Sequence, residues 1–213
     1  RAEGPGGAEL RQFLELVSKL SEAAGRGWGW EYNSVEDYAL KRGQAFESPS
    51  EVELPVGVRP AEKGRCYQNA YHLVENQPDK YTYVEGYAAI YGVPLAHAWV
   101  VDRNGRVVDP TWLGRKKDNL PTGYWGVKIP LATVRKTILA RGKYGVLHNP
   151  EQGFPLLRGE PIGKAAAQVE VPAPPRPPAE LEEFYSPPDI PLSEEDRSRL
   201  RGKLNRKESE KAK

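Results

Sequence analysis

Gly64-Arg65-Cys66-Tyr67-Gln68-Asn69-Ala70, Tyr83-Val84-Glu85-Gly86-Tyr87-Ala88 and His97-Ala98-Trp99-Val100-Val101-Asp102-Arg103-Asn104-Gly105-Arg106-Val107-Val108-Asp109-Pro110-Thr111-Trp112 are the stretches around which the chain is organised. From Cys66 to Asn76 the spacing predicts a helix: Ala70, Leu73 and Val74 form an apolar stripe, Asn76 can close it, and Pro78 prevents its continuation. Lys80 to Ile90 is rich in β-branched and aromatic residues, with Tyr81, Tyr83, Glu85 and Tyr87 alternating against Thr82, Val84 and Gly86, which predicts a strand. A turn at Gly92-Val93-Pro94 leads into a second strand, Leu95 to Asp102, and Asn104-Gly105 signals a hairpin into Arg106 to Asp109.

The only cysteine therefore stands where a helix begins. A thiolate is the attacking form of cysteine, and free cysteine ionises only near pH 8.5, about. Unpaired N–H groups and the positive end of the helix dipole stabilise a negative sulfur, Arg65 adds a neighbouring positive charge, and an imidazole can take the proton. Alone, such a cysteine reads more readily as a small buried apolar residue than as a nucleophile. The hairpin discriminates between the two readings. If its loop is Arg103-Asn104-Gly105 with Gly105 left-handed, Asp102 pairs with Arg106 and Trp99 with Asp109. Strand alternation then puts His97, Trp99, Val107 and Asp109 on one face, with Asp109 diagonal to His97. A shorter loop at Asn104-Gly105 would send Asp109 to the opposite face. In the first arrangement His97 can act as base and then acid, while Asp109 fixes its tautomer.

Cys at a helix start, His97-Ala98-Trp99 on one strand and Asp109-Pro110-Thr111 after the next resemble the transglutaminase-like branch of the papain-like thiol enzymes; the arylamine N-acetyltransferases are more distantly similar. The resemblance covers roughly residues 60 to 112. It implies an α+β fold in which the cysteine helix packs on an antiparallel sheet, with Cys66 as nucleophile, His97 as base and Asp109 as orienting acid. No Gln lies between Gln44 and Cys66, where papain-like enzymes carry an oxyanion-stabilising Gln. The backbone N–H of Cys66 would then need a second donor, and Gln68, Asn69 and Tyr83 are the polar candidates. Asn69 lies one turn beyond Cys66. Glu85 is a candidate for lining the cleft, and Trp99 and Trp112 are candidates for shielding the site from water. His72 and His148 have no convincing ligand partners in the sequence, so neither a metal site nor a cofactor is expected.

The composition of the whole 213-residue chain bounds this reading. With 31 basic and 29 acidic residues the net charge is +2, which argues against nucleic acid or an anionic membrane as partner. A single cysteine excludes an internal disulfide and fits a reducing compartment, and no apolar run is long enough to span a bilayer, so the expected location is cytoplasmic. The sequence contains no Met, including no initiator, so a targeting segment upstream of Arg1 stays open.

Three regions are expected: a flexible Gly/Pro-rich N-terminus at 1–7, a catalytic domain at 8–160, and a proline-rich linker with a charged, mobile helical tail at 161–213. Within the domain, Leu10, Phe13, Leu14, Val17 and Leu20 predict a helix from about Ala8 to Ala24. Trp28 and Trp30 read as packing residues, Ser34 with Asp37 as the cap of a second helix ending at Gly43, and Phe46 to Lys63 as a loop with a short strand near Glu51 to Val58. Beyond a polar loop at Lys116, Lys117 and Asp118 come a strand at Tyr124 to Ile129 and a helix opened by Pro130, its core side carrying Leu131, Val134, Ile138 and Leu139, and ended by Gly142. The eight prolines from Pro172 to Pro191 define the linker, Ser193 with Asp196 caps the charged helix, and a protein partner through 170–207 is one use for that tail. The function expected is thiol-dependent acyl transfer through a Cys66 thioester, hydrolysis of an amide or peptide first, with a peptide, amide or small acyl substrate. The alternative is a catalytically silent binding or structural module of the same fold.

Overall fold

The computed structural model describes residues 5–25, 30–49, 54–112, 120–162 and 190–211; the expectations for Trp28, for Lys116, Lys117 and Asp118, for the start of the strand near Glu51, and for the linker prolines from Pro172 to Pro188 lie outside the described residues. The architecture is mixed α+β. Helices α1 (Pro5–Ala24) and α2 (Val35–Arg42) precede strand β1 (Gln44–Phe46); α3 (Cys66–Asn76) leads into β2 (Tyr81–Ile90), β3 (Val93–Asp102) and β4 (Val107–Val108); β5 (Gly123–Ile129), α4 (Leu131–Arg141) and α5 (Glu194–Lys211) complete it. The strands form one sheet in the order β1-β5-β2-β3-β4, every neighbouring pair antiparallel.

Both faces of this sheet are covered, which is why β2 is buried along almost its whole length instead of alternating. On one face Tyr83, Ala98, Val100, Val108, Val127 and Ile129 pack against Tyr67, Ala70 and Val74 of α3 and Val134 and Ile138 of α4. Leu10 and Leu14 of α1 and Ala39 of α2 extend that layer over Tyr87, Ala89 and Trp125. The other face gathers Phe46, Val84, Ala88, Trp99, Val101, Val107 and Tyr124. Phe46 on β1 and Trp99 on β3 are separated by two strands, yet their rings lie 5.7 Å apart. In a flat sheet those strands would stand about 14 Å apart. The sheet curls over this face.

The helix and strand readings around the hairpin hold closely: α3 spans Cys66–Asn76, and Ser34 caps α2 by accepting from Asp37 N–H at 3.1 Å. Several differences arise from contacts distant in sequence. α1 begins at Pro5, inside the segment expected to be flexible, because Gly6 approaches the backbone of Thr122 and Gly123 so closely that a Cβ would meet Thr122 C at 2.3 Å. β1 forms at Gln44–Phe46, partly where a loop was expected, because β5 supplies it with a ladder partner. Residues 54–58, the described part of the expected strand there, are a loop with a turn.

The charged helix expected as a mobile tail also differs. α5 docks on the body through buried Leu200, with Leu192 buried just ahead of the helix, and Asp196 accepts from Tyr144 Oη at 2.5 Å and pairs with His72 Nε2 at 3.2 Å. Lys203 pairs with Glu75 of α3. Two leucines at suitable spacing and a few polar anchors were sufficient. No helix among the described residues is long and apolar enough to cross a membrane.

Candidate functional site

The β3–β4 hairpin has the register required by a three-residue loop. Asp102 N–H donates to Arg106 O at 3.0 Å, Val101 pairs with Val107 and Val100 with Val108, and Gly105 sits at φ +80°. The Asp102 carboxylate accepts the Asn104 and Arg106 N–H groups at 2.8 and 2.9 Å, so a single aspartate shapes the loop. His97 and Asp109 consequently meet: Nε2 of His97 lies 2.7 Å from Asp109 Oδ2. The carboxylate is fully buried, and its other oxygen accepts from Thr111 N–H at 2.9 Å and Trp112 N–H at 3.3 Å. Tyr124 Oη adds a donor to Oδ2 at 3.0 Å.

Cys66 arrives from α3. Ala61 N–H donates to Pro110 O at 2.8 Å, while Asn69 Nδ2 donates to Glu62 O at 2.7 Å and Thr111 Oγ1 at 3.0 Å. These bonds staple the start of α3 to the turn that follows β4. There Cys66 comes close enough to the His97 ring to act on its charge. With Nε2 committed to Asp109, Nδ1 is the nitrogen left for the sulfur. Burial opposes charge on that ring, but the Asp109 carboxylate, reinforced by Cys66, overrides it and raises the imidazolium pKa from 6.5 to about 10. Arg65 stands at the N-cap without a side-chain cap bond, so its side chain leaves the first N–H groups of α3 unused. Its guanidinium is paired with Glu62 at 3.2 Å and does not act as a free charge on the thiol.

The other candidates separate into several roles. Trp99 is fully buried and lies nearly parallel to His97, ring centroids 6.1 Å apart at 15°, and Trp112 packs half-buried beside it against the same cluster. Asn69 is a staple, as described. Gln68 bonds Tyr144, and its Oε1 is buried without a hydrogen-bond partner. Tyr83 donates to Glu85 Oε1 at 2.7 Å, and the two Glu85 oxygens also accept Val146 and Leu147 N–H at 2.7 to 2.9 Å. Burial raises the Glu85 carboxyl pKa despite these donors. Glu85 thus ties β2 to the loop after α4 and is 1% exposed. His72 is engaged by Asp196, and the His148 ring packs on Phe154 at 5.4 Å.

Tyr124 is the neighbour that sequence reasoning missed. Its strand was legible, but its place beside Asp109 follows from β5 pairing with β2, Tyr124 opposite Ala88 on the face that carries His97. No local signal encodes that. Cys66, His97 and Asp109 are 6%, 4% and 0% exposed, and a cavity of about 440 Å³ between Tyr32, Tyr38, Arg42, Lys128, Leu156 and Ile162 contains none of them. No protein-family model, curated protein or solved structure matches this chain.

Proposed function

We propose that the chain is a thiol-dependent acyl-transfer enzyme of the papain-like, transglutaminase-like kind, with hydrolysis of an amide or peptide as its first reaction. The observation that carries this reading is His97, held at Nε2 by a buried carboxylate and turned toward a cysteine at an uncapped helix start. A sulfur paired with an imidazolium is a nucleophile that needs no further base. In the proposed reaction the Cys66 sulfur attacks the acyl carbonyl and a C–S bond forms. The C–N bond then breaks as His97 gives its proton to the departing amine. Water, or an acceptor amine, next loses a proton to His97 and attacks the thioester, which returns the thiolate. The Cys66 N–H at the head of α3 is the first oxyanion donor.

The test is the pH dependence of Cys66 alkylation by iodoacetamide, wild type against His97→Ala. The expected result is wild-type alkylation at pH 6 at least tenfold faster than free cysteine under the same conditions, lost in the variant. Alkylation that follows an ordinary thiol near pH 8.5 and ignores His97 would sink the reading. Burial of all three side chains favours one second reading, a catalytically silent module in which the trio holds the hairpin to α3. Alkylation that is slow at every pH in the folded protein and fast after denaturation would select it.

A further inference from the structure

Building on the reading of Cys66 as the nucleophile, we infer that the outer edge of β3 from Val93 to Ala96 is the docking rail for an extended peptide substrate, which adds to the sheet as a strand and is led along it to the sulfur. β4 pairs with β3 only at Val100 and Val101, and no backbone hydrogen bond among the described residues reaches Pro94 or Ala96 from the β4 side. Asp102 N–H points to that side, since it donates to Arg106 O; strand alternation gives the same direction to residues 100, 98, 96 and 94. Ala96 thus offers one N–H and one C=O outward, and Pro94 one C=O. A proline is tolerated there because the N–H it lacks would have had no partner.

Side chains along the same strand point to the same place. Val93, Leu95 and His97 share a face at i, i+2 and i+4, and exposure falls along them from 53% at Val93 to 39% at Leu95 and 4% at His97. Two exposed apolar side chains on an edge that no described residue pairs, in line with the imidazole, match a peptide with alternate apolar side chains. Backbone bonds to Ala96 and Pro94 would set its register, and Leu95 and Val93 would select its side chains. A small acyl compound would use neither. Leu95 is a poor choice for an edge that only needs protection, since such edges ordinarily carry charge.

Two alkylating probes of the same sulfur test this. Acetyl-Leu-Val-Ala chloromethyl ketone is compared with iodoacetamide; in each case the thiolate forms a C–S bond and halide leaves. The quantity read is the ratio of the two second-order rate constants for each protein. Wild type should prefer the peptidyl probe by at least tenfold more than free cysteine does. Ala96→Pro, which removes the outward N–H, and Leu95→Glu, which charges the rail, should each lower that ratio at least tenfold. N-methylation of the probe should reduce its rate only at alternate amides. A ratio unmoved by both substitutions, or equal slowing by methylation at every amide, overturns the rail while leaving a His97-activated thiol intact. Iodoacetamide rates that follow an ordinary thiol in wild type instead overturn the enzyme reading itself, and the rail with it.

Discussion

Asp109→Asn probes the pair on which the proposed chemistry rests. The carboxylate is fully buried and serves His97 Nε2, Tyr124 Oη and the Thr111 N–H at 2.7, 3.0 and 2.9 Å. Asparagine keeps its shape, loses its charge and must turn an N–H₂ group toward at least one of these donors. The His97 pKa stands at about 10 instead of 6.5 even though burial lowers it, so the pull of its anionic neighbours more than offsets the desolvation of the ring. Removing one partner of a buried ion pair ordinarily costs about 3–5 kcal/mol. Here the ring can shed its proton, and Cys66 remains beside it, so the expected loss at pH 6 is about 2–4 kcal/mol.

For a chain of this size that corresponds to a fall in Tm of about 5–15 °C. The pH dependence has a definite sign. A histidine whose folded pKa is raised contributes stability that is complete below its unfolded value of 6.5 and is lost as pH rises through about 10. The gap between wild type and Asp109→Asn should therefore be widest at pH 6 and narrow toward pH 10, leaving the smaller share due to a neutral ring N–H and the other donors. Paired thermal melts at pH 6, 8 and 10 measure it. A gap under about 2 °C at pH 6, or one that widens with pH, refutes a charged pair in the folded protein.

Three further substitutions test how the site is supported. Tyr124→Phe deletes a single hydroxyl donor to Asp109 and should cost about 1–2 kcal/mol in urea denaturation, less than Asp109→Asn, with m unchanged. Glu85→Gln keeps one acceptor oxygen but turns an N–H₂ group against Val146 and Leu147 N–H, so it should cost about 2–4 kcal/mol in the same assay. Gly126→Ala places a Cβ 2.5 Å from Glu85 O and 2.6 Å from Trp99 Cη2; it should cost about 1–3 kcal/mol and alter the near-ultraviolet dichroism of Trp99.

How much of this was legible in the sequence depends on how far each fact reaches along the chain. The extent of α3 was readable because its stripe, its start and Pro78 are all local. The hairpin register was readable because Asn104-Gly105 and strand alternation together decide which face Asp109 joins. Parity along a strand says which residues share a face but not which strand will lie beside it. Tyr124 could not be placed for that reason: its role requires β5 to insert between β1 and β2. The same holds for Gly6 against Gly123, where missing side chains let two backbones touch, and for α5, whose docking is specified by His72, Glu75 and Tyr144 as much as by its own residues. Glu85 stands on the strand beside that of His97, which makes it a cleft candidate in the sequence, and nothing local marks it as buried. Its actual partners, two N–H groups from the loop after α4, lie far along the chain.

Burial of the trio and the open edge of β3 belong together. A cysteine at 6% exposure beside a histidine at 4% is poorly placed for collision with a bulky folded substrate. It is well placed for a narrow one delivered along a fixed line, and β4, only two residues long, leaves that line on β3 unpaired among the described residues. Extending β4 toward Asp109 and beyond would have protected the edge and strengthened the sheet. The chain instead breaks the strand at Pro110, whose missing N–H cannot continue a ladder, and uses the turn there to receive Ala61 and Asn69 at the head of α3. One interruption therefore releases the edge of β3, directs Asp109 toward His97 and brings Cys66 to the imidazole. A purely structural module would have no use for the first of these effects, so the response of peptidyl labelling to Leu95→Glu and Ala96→Pro bears on the functional reading as well as on the rail.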